Sequence, residues 1–273
     1  MEQRYDAIIV GAGPAGMFAS LELINKNPTL KVALFDMGSR IENRNGNEIM
    51  SGFGGAGTYS DGKLHFTPKL SHERTFHLIK PEDYQQILNE IDETFMSFGV
   101  TSEEYPKNRY DVEMMIEEAQ RQDIELIVRR TKHVGSDNLK TVMKKFQDEL
   151  ENKGVLLFDN TEVEDIFVEN SKVTGIKTNK GDYYADKILI APGRVKARWF
   201  QDICSKYNIE YLYDMVEVGV RAEFPAGVMK RYADSLYEIV LKVRTNTFDD
   251  IVRTFCSCPN GYVAREDYQG YVC

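Results

Sequence analysis

Six consecutive residues, Gly11-Ala12-Gly13-Pro14-Ala15-Gly16, carry the first chemistry in this chain. Glycines at this spacing solve three problems for an anionic ligand. Gly11 allows a tight turn out of a strand, Gly13 presents backbone that a pyrophosphate can approach, and Gly16 lets the next helix pack closely on a sheet. A helix that begins here offers free amides and a partial positive charge to phosphate. Asp36 stands 20 residues past Gly16. An acid at that distance accepts hydrogen bonds from an adenosine ribose and disfavours a 2′-phosphate.

The motif has meaning only between a strand and a helix, and the neighbouring residues supply both. Residues 5–10 form an almost continuous apolar run that reads as a strand buried on both faces. Residues 15–24 read as a helix, with Pro14 pre-set for its first turn. Residues 31–35 read as a second strand that ends at Asp36, which completes a βαβ unit. A glycine-rich stretch follows, Ser51-Gly52-Phe53-Gly54-Gly55-Ala56-Gly57-Thr58-Tyr59-Ser60-Asp61-Gly62-Lys63. Its composition reads as backbone brought close to something rather than as a packed element.

Periodicity orders the rest of the chain. Residues 82–98 place Tyr84, Ile87, Leu88, Ile91, Phe95 and Phe98 on one helical face, with Gly99 as the C-terminal cap. Asp111 is expected to cap a second helix carrying Met114, Met115 and Ala119. Residues 124–128 read as a strand. Ser136 is expected to cap a third helix, with Leu139, Val142, Met143, Phe146 and Leu150 inward and Gly154 ending it. Residues 155–158, 162–168, 172–178 and 183–190 read as strands, and turns at 169–171 and 179–182 join the last three into a β-meander. That meander closes on Ala191-Pro192-Gly193. Residues 195–207 read as helical, and 217–223, 237–244, 251–255 and a final hairpin read as antiparallel sheet.

Composition narrows the partners. A chain of 273 residues holds one to two domains. Lys and Arg number 34 against 43 Asp and Glu, a net charge of −9 that argues against nucleic acid or an anionic membrane surface as a main partner. No apolar run is long enough to span a membrane. The first residues lack the basic and apolar regions of a secretory signal. Four cysteines are too few for a disulfide scaffold, so a cytoplasmic location is expected.

Other polar residues carry weaker signals. Cys256 and Cys258 read as buried structural thiols rather than a redox pair or half a metal site. Lys63, Arg129, Arg130 and His133 read as solvated charges or phosphate contacts. Arg40 and Arg44 are candidates for neutralising a pyrophosphate. His65, His72 and His77 have no spacing that suggests a metal, and no metal site is expected.

At this point the chain resembles the two-dinucleotide-binding-domain flavoproteins. Asp6 to Gly16 matches that class's opening Asp-x-x-x-x-Gly-x-Gly-x-x-Gly. Ala191-Pro192-Gly193 matches the Ala-Thr-Gly that closes its meander, with proline replacing threonine. The resemblance implies that the backbone of Val163 meets an adenine. More narrowly, the segment from Gly52 to Leu64 is similar to a bacterial family of uncharacterised FAD-dependent dehydrogenases. So are Lys132-His133-Val134-Gly135-Ser136-Asp137-Asn138-Leu139, Glu217-Val218-Gly219-Val220-Arg221 and the region around Thr254-Phe255-Cys256-Ser257-Cys258-Pro259-Asn260-Gly261. Members return to the FAD domain near their C-terminus through a strand ending in Gly-Asp. Gly181-Asp182 lies in a hairpin instead, so a C-terminally truncated member is expected.

The expectation is therefore an α/β protein. Residues 1–65 and 134–207 form a three-layer, Rossmann-like FAD-binding domain with a β-meander. Residues 66–133 form a helical insertion, and 208–273 begin an incomplete, mostly antiparallel substrate domain. The expected cofactor is FAD, held by Gly11, Ala12, Gly13, Pro14, Ala15, Gly16, Asp36, Gly54, Gly55, Ala56, Gly57, Val163, Ala191, Pro192 and Gly193. The expected activity is hydride or electron transfer between a small-molecule substrate and an electron donor or acceptor, with no catalytic residue assigned. An NAD-binding dehydrogenase and a non-catalytic nucleotide-binding fragment are the alternatives.

Overall fold

The structure is a computed structural model; it describes all residues except 1–3, 47, 71–75, 214–215, 264–266, 269–270 and 273. His72 and Cys273 lie outside the described residues. In chain order the elements are β1 (Arg4–Val10), α1 (Pro14–Lys26), β2 (Val32–Phe35), β3 (Lys63–His65), α2 (Pro81–Ser97), β4 (Glu104–Tyr105), α3 (Arg109–Gln120), β5 (Ile124–Ile127), β6 (Thr131–His133) and α4 (Ser136–Asn152). They continue with β7 (Leu156–Phe158), β8 (Val163–Glu169), β9 (Lys172–Thr178), β10 (Gly181–Ile190), α5 (Ala197–Lys206), α6 (Lys230–Leu236), β11 (Val240–Arg244), β12 (Ile251–Arg253), β13 (Asp267–Tyr268) and β14 (Tyr271–Val272).

Two compact units share these elements. The first comprises Met1–Gly62, Phe95–Val100 and Val134–Asp214; the second comprises Lys63–Thr94, Thr101–His133 and Met215–Cys273.

The first unit is built on a six-stranded sheet in the order β7-β2-β1-β10-β9-β8. Strands β7, β2, β1 and β10 run parallel, while β10, β9 and β8 form the antiparallel meander. The four residues of β2 are all buried, as a parallel strand covered on both faces requires. Asp6 ties the first two strands together, its carboxylate accepting from the amide of Lys31 at 2.7 Å. On one side of the sheet the Phe35 ring stacks on Phe158 at 4.4 Å and meets Tyr183 edge-on at 4.8 Å. Helix α5 joins this cluster through Ile203, and the indole of Trp199 donates to the carbonyl of Glu164 at 2.8 Å. Helix α4 buries Leu139, Val142, Met143, Phe146 and Leu150, the stripe expected from its period. Phe146 meets Phe18 of α1 edge-on at 4.9 Å and stacks with Phe98 at 4.7 Å.

The second unit holds two three-stranded sheets, β12-β11-β5 and β3-β6-β4, and the β13-β14 pair. Its apolar core gathers Val112, Met115 and Ala119 of α3 with Leu126 and Leu236.

Several expectations change here. Helix α3 is capped by Asn108, whose side chain accepts from the amides of Tyr110 and Asp111. Asp111 instead sits inside the first turn, where its charge suits the helix dipole. Helix α4 begins at Ser136 itself, and Gly135 caps it at φ +83° without a side-chain bond. Residues 217–223 belong to no strand and are exposed, and the segment expected to start a strand at 237 is preceded by the short helix α6. The glycine-rich stretch is packed after all. Phe53 is fully buried within it and Ala56–Tyr59 form a 3₁₀ turn.

Candidate functional site

The site lies within the first unit, at the carboxyl ends of β1, β2 and β10. A cleft of about 300 Å³ is lined there by Gly11, Gly13, Pro14, Asp36, Gly55, Ala56, Gly57, Val163, Ala191, Pro192 and Gly193, among others. The carboxyl edge of a parallel sheet is where open α/β folds place their ligands.

Each glycine contact has a local cause. Gly11 adopts φ +99°, and a Cβ there would lie 2.1 Å from the carbonyl oxygen of Ala191. The turn out of β1 and the end of β10 therefore touch backbone to backbone, fixed by the amide of Ala191 donating to the carbonyl of Val10 at 2.7 Å. A Cβ on Gly16 would lie 1.9 Å from the carbonyl oxygen of Gly11, so no other residue lets α1 approach this turn. Pro14 occupies the first turn of α1 and Gly13 is its N-cap, in extended conformation. The first-turn amides of α1 have no partner within the helix and face the start of the turn.

The glycine-rich stretch makes its close approach to the fingerprint itself. The amide of Gly54 donates to the carbonyl of Ala12 at 2.8 Å. A Cβ on Gly55 would lie 2.9 Å from the Cα of Gly13. Arg44 holds this stretch from behind. Its guanidinium donates to the carbonyls of Phe53 at 2.6 Å, Gly55 at 2.9 Å, Glu48 at 2.7 Å and Ile49 at 3.2 Å, and lies 4.8 Å above the Tyr59 ring. Burial lowers the Arg44 pKa, against the opposing fields of Tyr59, Asp36 and Glu48. Arg40 pairs with Glu151 and Asp159. Both arginines thus serve internal partners, which corrects their reading as pyrophosphate ligands.

Asp36 is buried and ties three segments together. One carboxylate oxygen accepts from the amide of Ala12 at 2.8 Å; the other accepts from the amides of Gly38 at 2.9 Å and Gly52 at 2.7 Å. An ionised carboxylate offers about four acceptor positions. Three are used, and one remains on the oxygen that faces Ala12. The sequence pointed to the ribose and missed these structural bonds.

Of the residues expected at the site, Ala12, Ala15, Gly16 and Gly54 do not line the cleft. Ala12 and Gly16 are buried, Ala15 is exposed on the first turn of α1, and a Cβ on Gly54 would run into the hydroxyl of Thr58. Sequence reasoning missed Met37, Met50, Thr161, Glu162, Arg194 and Lys196, which also line it. The ammonium of Lys196 pairs with Glu162, while Arg194 is exposed. For Arg194 and Lys196, the position directly after Ala191-Pro192-Gly193 was the available signal.

The walls suit an extended phosphate ligand. A Cβ on Gly57 or Gly193 would meet nothing within 4 Å, and one on Gly13 would meet only the Cα of Gly55 at 3.9 Å. Bare backbone there leaves a cradle that side chains would fill.

The remaining polar candidates belong to the second unit, where several are held by partners rather than by solvent alone. Arg129 is buried against Glu238, which also lies 3.2 Å from the Nε2 of His65. Asp92 is buried between Arg130 and Lys132, the latter at 2.6 Å. His133 stacks on Tyr237 at 4.3 Å. Among the described residues no cluster of three His, Cys, Asp or Glu could hold a metal, and no helix is long and apolar enough to cross a membrane.

Comparison with known proteins adds little beyond the fold. No family profile matches the chain. An uncharacterised protein of Clostridium beijerinckii is 23% identical, over 94% of this chain and 45% of its own length. The chain therefore spans less than half of that relative. Among solved structures it is similar to L-amino acid deaminase from Proteus vulgaris, with 14% identity, a TM-score of 0.49 and coverage of 77% of this chain and 51% of that one. It is also similar to glycine oxidase from Bacillus cereus, with 19% identity, a TM-score of 0.47 and coverage of 75% and 58%.

Proposed function

We propose that this chain binds FAD and forms part of a flavin-dependent oxidoreductase. The observation that carries the reading is the cleft of bare backbone where Gly11 and Gly13, Gly55 to Gly57 and Ala191 to Gly193 converge at the start of α1. A pyrophosphate placed there meets amides and a helix N-terminus without steric conflict. Asp36 keeps one acceptor position for a ribose hydroxyl, and Val163, at the first residue of β8, gives the adenine end an apolar wall. Arg194 supplies a cation at the rim. The Gly55–Gly57 backbone leaves room for a wide ring system farther along. These elements bind and orient the dinucleotide; a bound flavin would supply hydride or electron transfer.

The test is titration of the purified chain with FAD, NADH and ADP-ribose. Saturable FAD binding, with flavin absorbance near ~450 nm retained after gel filtration, supports the reading. A colourless protein that binds NADH and rejects FAD overturns it in favour of a nicotinamide enzyme. Failure to bind all three leaves a nucleotide fold without a nucleotide.

A further inference from the structure

The second unit contains a cluster that the nucleotide site does not use. The ammonium of Lys63 donates to the Sγ of Cys256 at 3.4 Å, lies 3.8 Å from the Sγ of Cys258, and donates to the carbonyl of Ser257 between them at 2.9 Å. One cation thus reaches both sulfurs of a Cys-x-Cys pair. The expectation that these are buried structural thiols is corrected, because Cys258 is exposed and Cys256 only half-buried.

The segment is held in this shape from several sides. The Ser257 hydroxyl accepts from the amide of Ile239 at 2.7 Å, pinning the residue between the two cysteines. The Thr254 hydroxyl accepts from the amide of Leu241 and donates to the carbonyl of Ile239. Cys256 adopts φ +55°, a left-handed conformation that a non-glycine residue keeps only when its surroundings enforce it. Beyond the pair, the amide of Gly261 donates to the carbonyl of Cys258 at 3.0 Å, and a Cβ on Gly261 would press within 2.9 Å of the Cβ of Cys258. Two thiols, one accessible and one behind it, are therefore presented to a shared ammonium.

We infer that Cys256, Cys258 and Lys63 form a thiol–disulfide exchange site whose substrate is a small disulfide. The exposed Cys258 sulfur attacks one sulfur of R–S–S–R. A Cys258–S–R bond forms as the substrate's own sulfur–sulfur bond breaks, and the first RS⁻ leaves. The Cys256 sulfur then attacks Cys258, forming the Cys256–Cys258 disulfide and releasing the second RS⁻. The two thiol protons end on the two departing RSH molecules, and two electrons pass from the cysteine pair to the substrate. Lys63 donates to the sulfurs on which negative charge collects during both displacements. This inference rests on residues of the second unit alone and does not depend on the flavin reading.

The experiment uses the 273-residue chain with 5,5′-dithiobis(2-nitrobenzoic acid), following release of the thionitrobenzoate anion and mapping the products by peptide mass. The wild type is expected to release two anions from this pair and to yield a peptide containing both cysteines, lighter by two hydrogens and free of adduct. Cys256→Ser is expected to release one anion and to retain a stable adduct on Cys258. Lys63→Met slows the second release by about tenfold, and Lys63→Arg restores most of that loss. Persistent adducts on both cysteines of the wild type would overturn the proposal. So would equal rates for wild type and a Lys63→Met variant of unchanged circular dichroism. Should Lys63→Met fail to fold, the wild-type product and the Cys256→Ser trap still decide the matter.

Discussion

The two units place their polar groups in opposite ways. In the first, the cleft is made chiefly by side chains that are missing, and a single buried carboxylate, Asp36, satisfies three backbone amides around it. In the second, charged side chains are buried against each other, Glu238 with Arg129 and Asp92 with Arg130 and Lys132. The first arrangement leaves room for a ligand. The second buries ion pairs beside its apolar core, and removal of one partner leaves an uncompensated charge. Steric rules therefore govern substitution in one unit and electrostatic rules in the other.

The largest expected effect tests the electrostatic half. Glu238→Leu leaves Arg129 buried without its carboxylate and is expected to cost about 3–5 kcal/mol. The double variant with Arg129→Met should recover much of that loss, measured by urea denaturation. A single variant that loses less than ~1 kcal/mol would show that the pair is not truly buried in solution. Next comes Gly11→Ala. The left-handed backbone at φ +99° and the overlap with the carbonyl of Ala191 predict a loss of about 2–3 kcal/mol, read as a lowered denaturation midpoint. A neutral Gly11→Ala would mean that β1 and β10 separate at their ends.

Gly57→Ala sharpens the contrast between stability and binding. A Cβ at Gly57 meets nothing within 4 Å, so folding stability should change by less than about 0.5 kcal/mol. FAD affinity, measured by calorimetry, should fall about tenfold because the new methyl occupies the cradle. Unchanged affinity would show that the ligand does not pass that wall.

The smallest effect concerns pH. Burial, reinforced by the charge of neighbouring Tyr183, raises the Tyr5 pKa above the ordinary value of 10.0. The contribution is fully present below the unfolded pKa and is lost as pH rises through the folded one. Stability should therefore decline above about pH 10, and Tyr5→Phe should remove part of that decline. Alkaline denaturation midpoints of the two proteins provide the check.

What could be read in advance follows from the range of the interactions. The fingerprint, Asp36 and the meander are legible because each rests on spacing within a few turns of chain, and the fold they imply is the one observed. The cap at Asn108 was missed because Asp111 offers equally suitable chemistry three residues later. Residues 217–223 alternate as a strand should, yet pattern alone cannot supply a pairing partner. The packed state of the glycine stretch was hidden because Arg44, which holds it through the carbonyls of Phe53 and Gly55, reads in sequence as a cation for a pyrophosphate. Lys63 and Cys256 lie 193 positions apart, so nothing local announces their meeting.

Strand β10 belongs to two assemblies at once. Its first residues, from Gly181 to Tyr184, pair with β9 of the meander, and from Tyr184 to Ile190 it pairs with β1. A strand common to the parallel and antiparallel parts of one sheet makes local fraying costly, since the meander cannot detach without disturbing the parallel strands. Amide hydrogens along β1 and the middle of β10 should thus exchange with solvent only through global opening, as one cooperative block. The cleft wall at Ala191 to Gly193 is the direct continuation of that block, so one edge of the site is set by a strand paired on both sides.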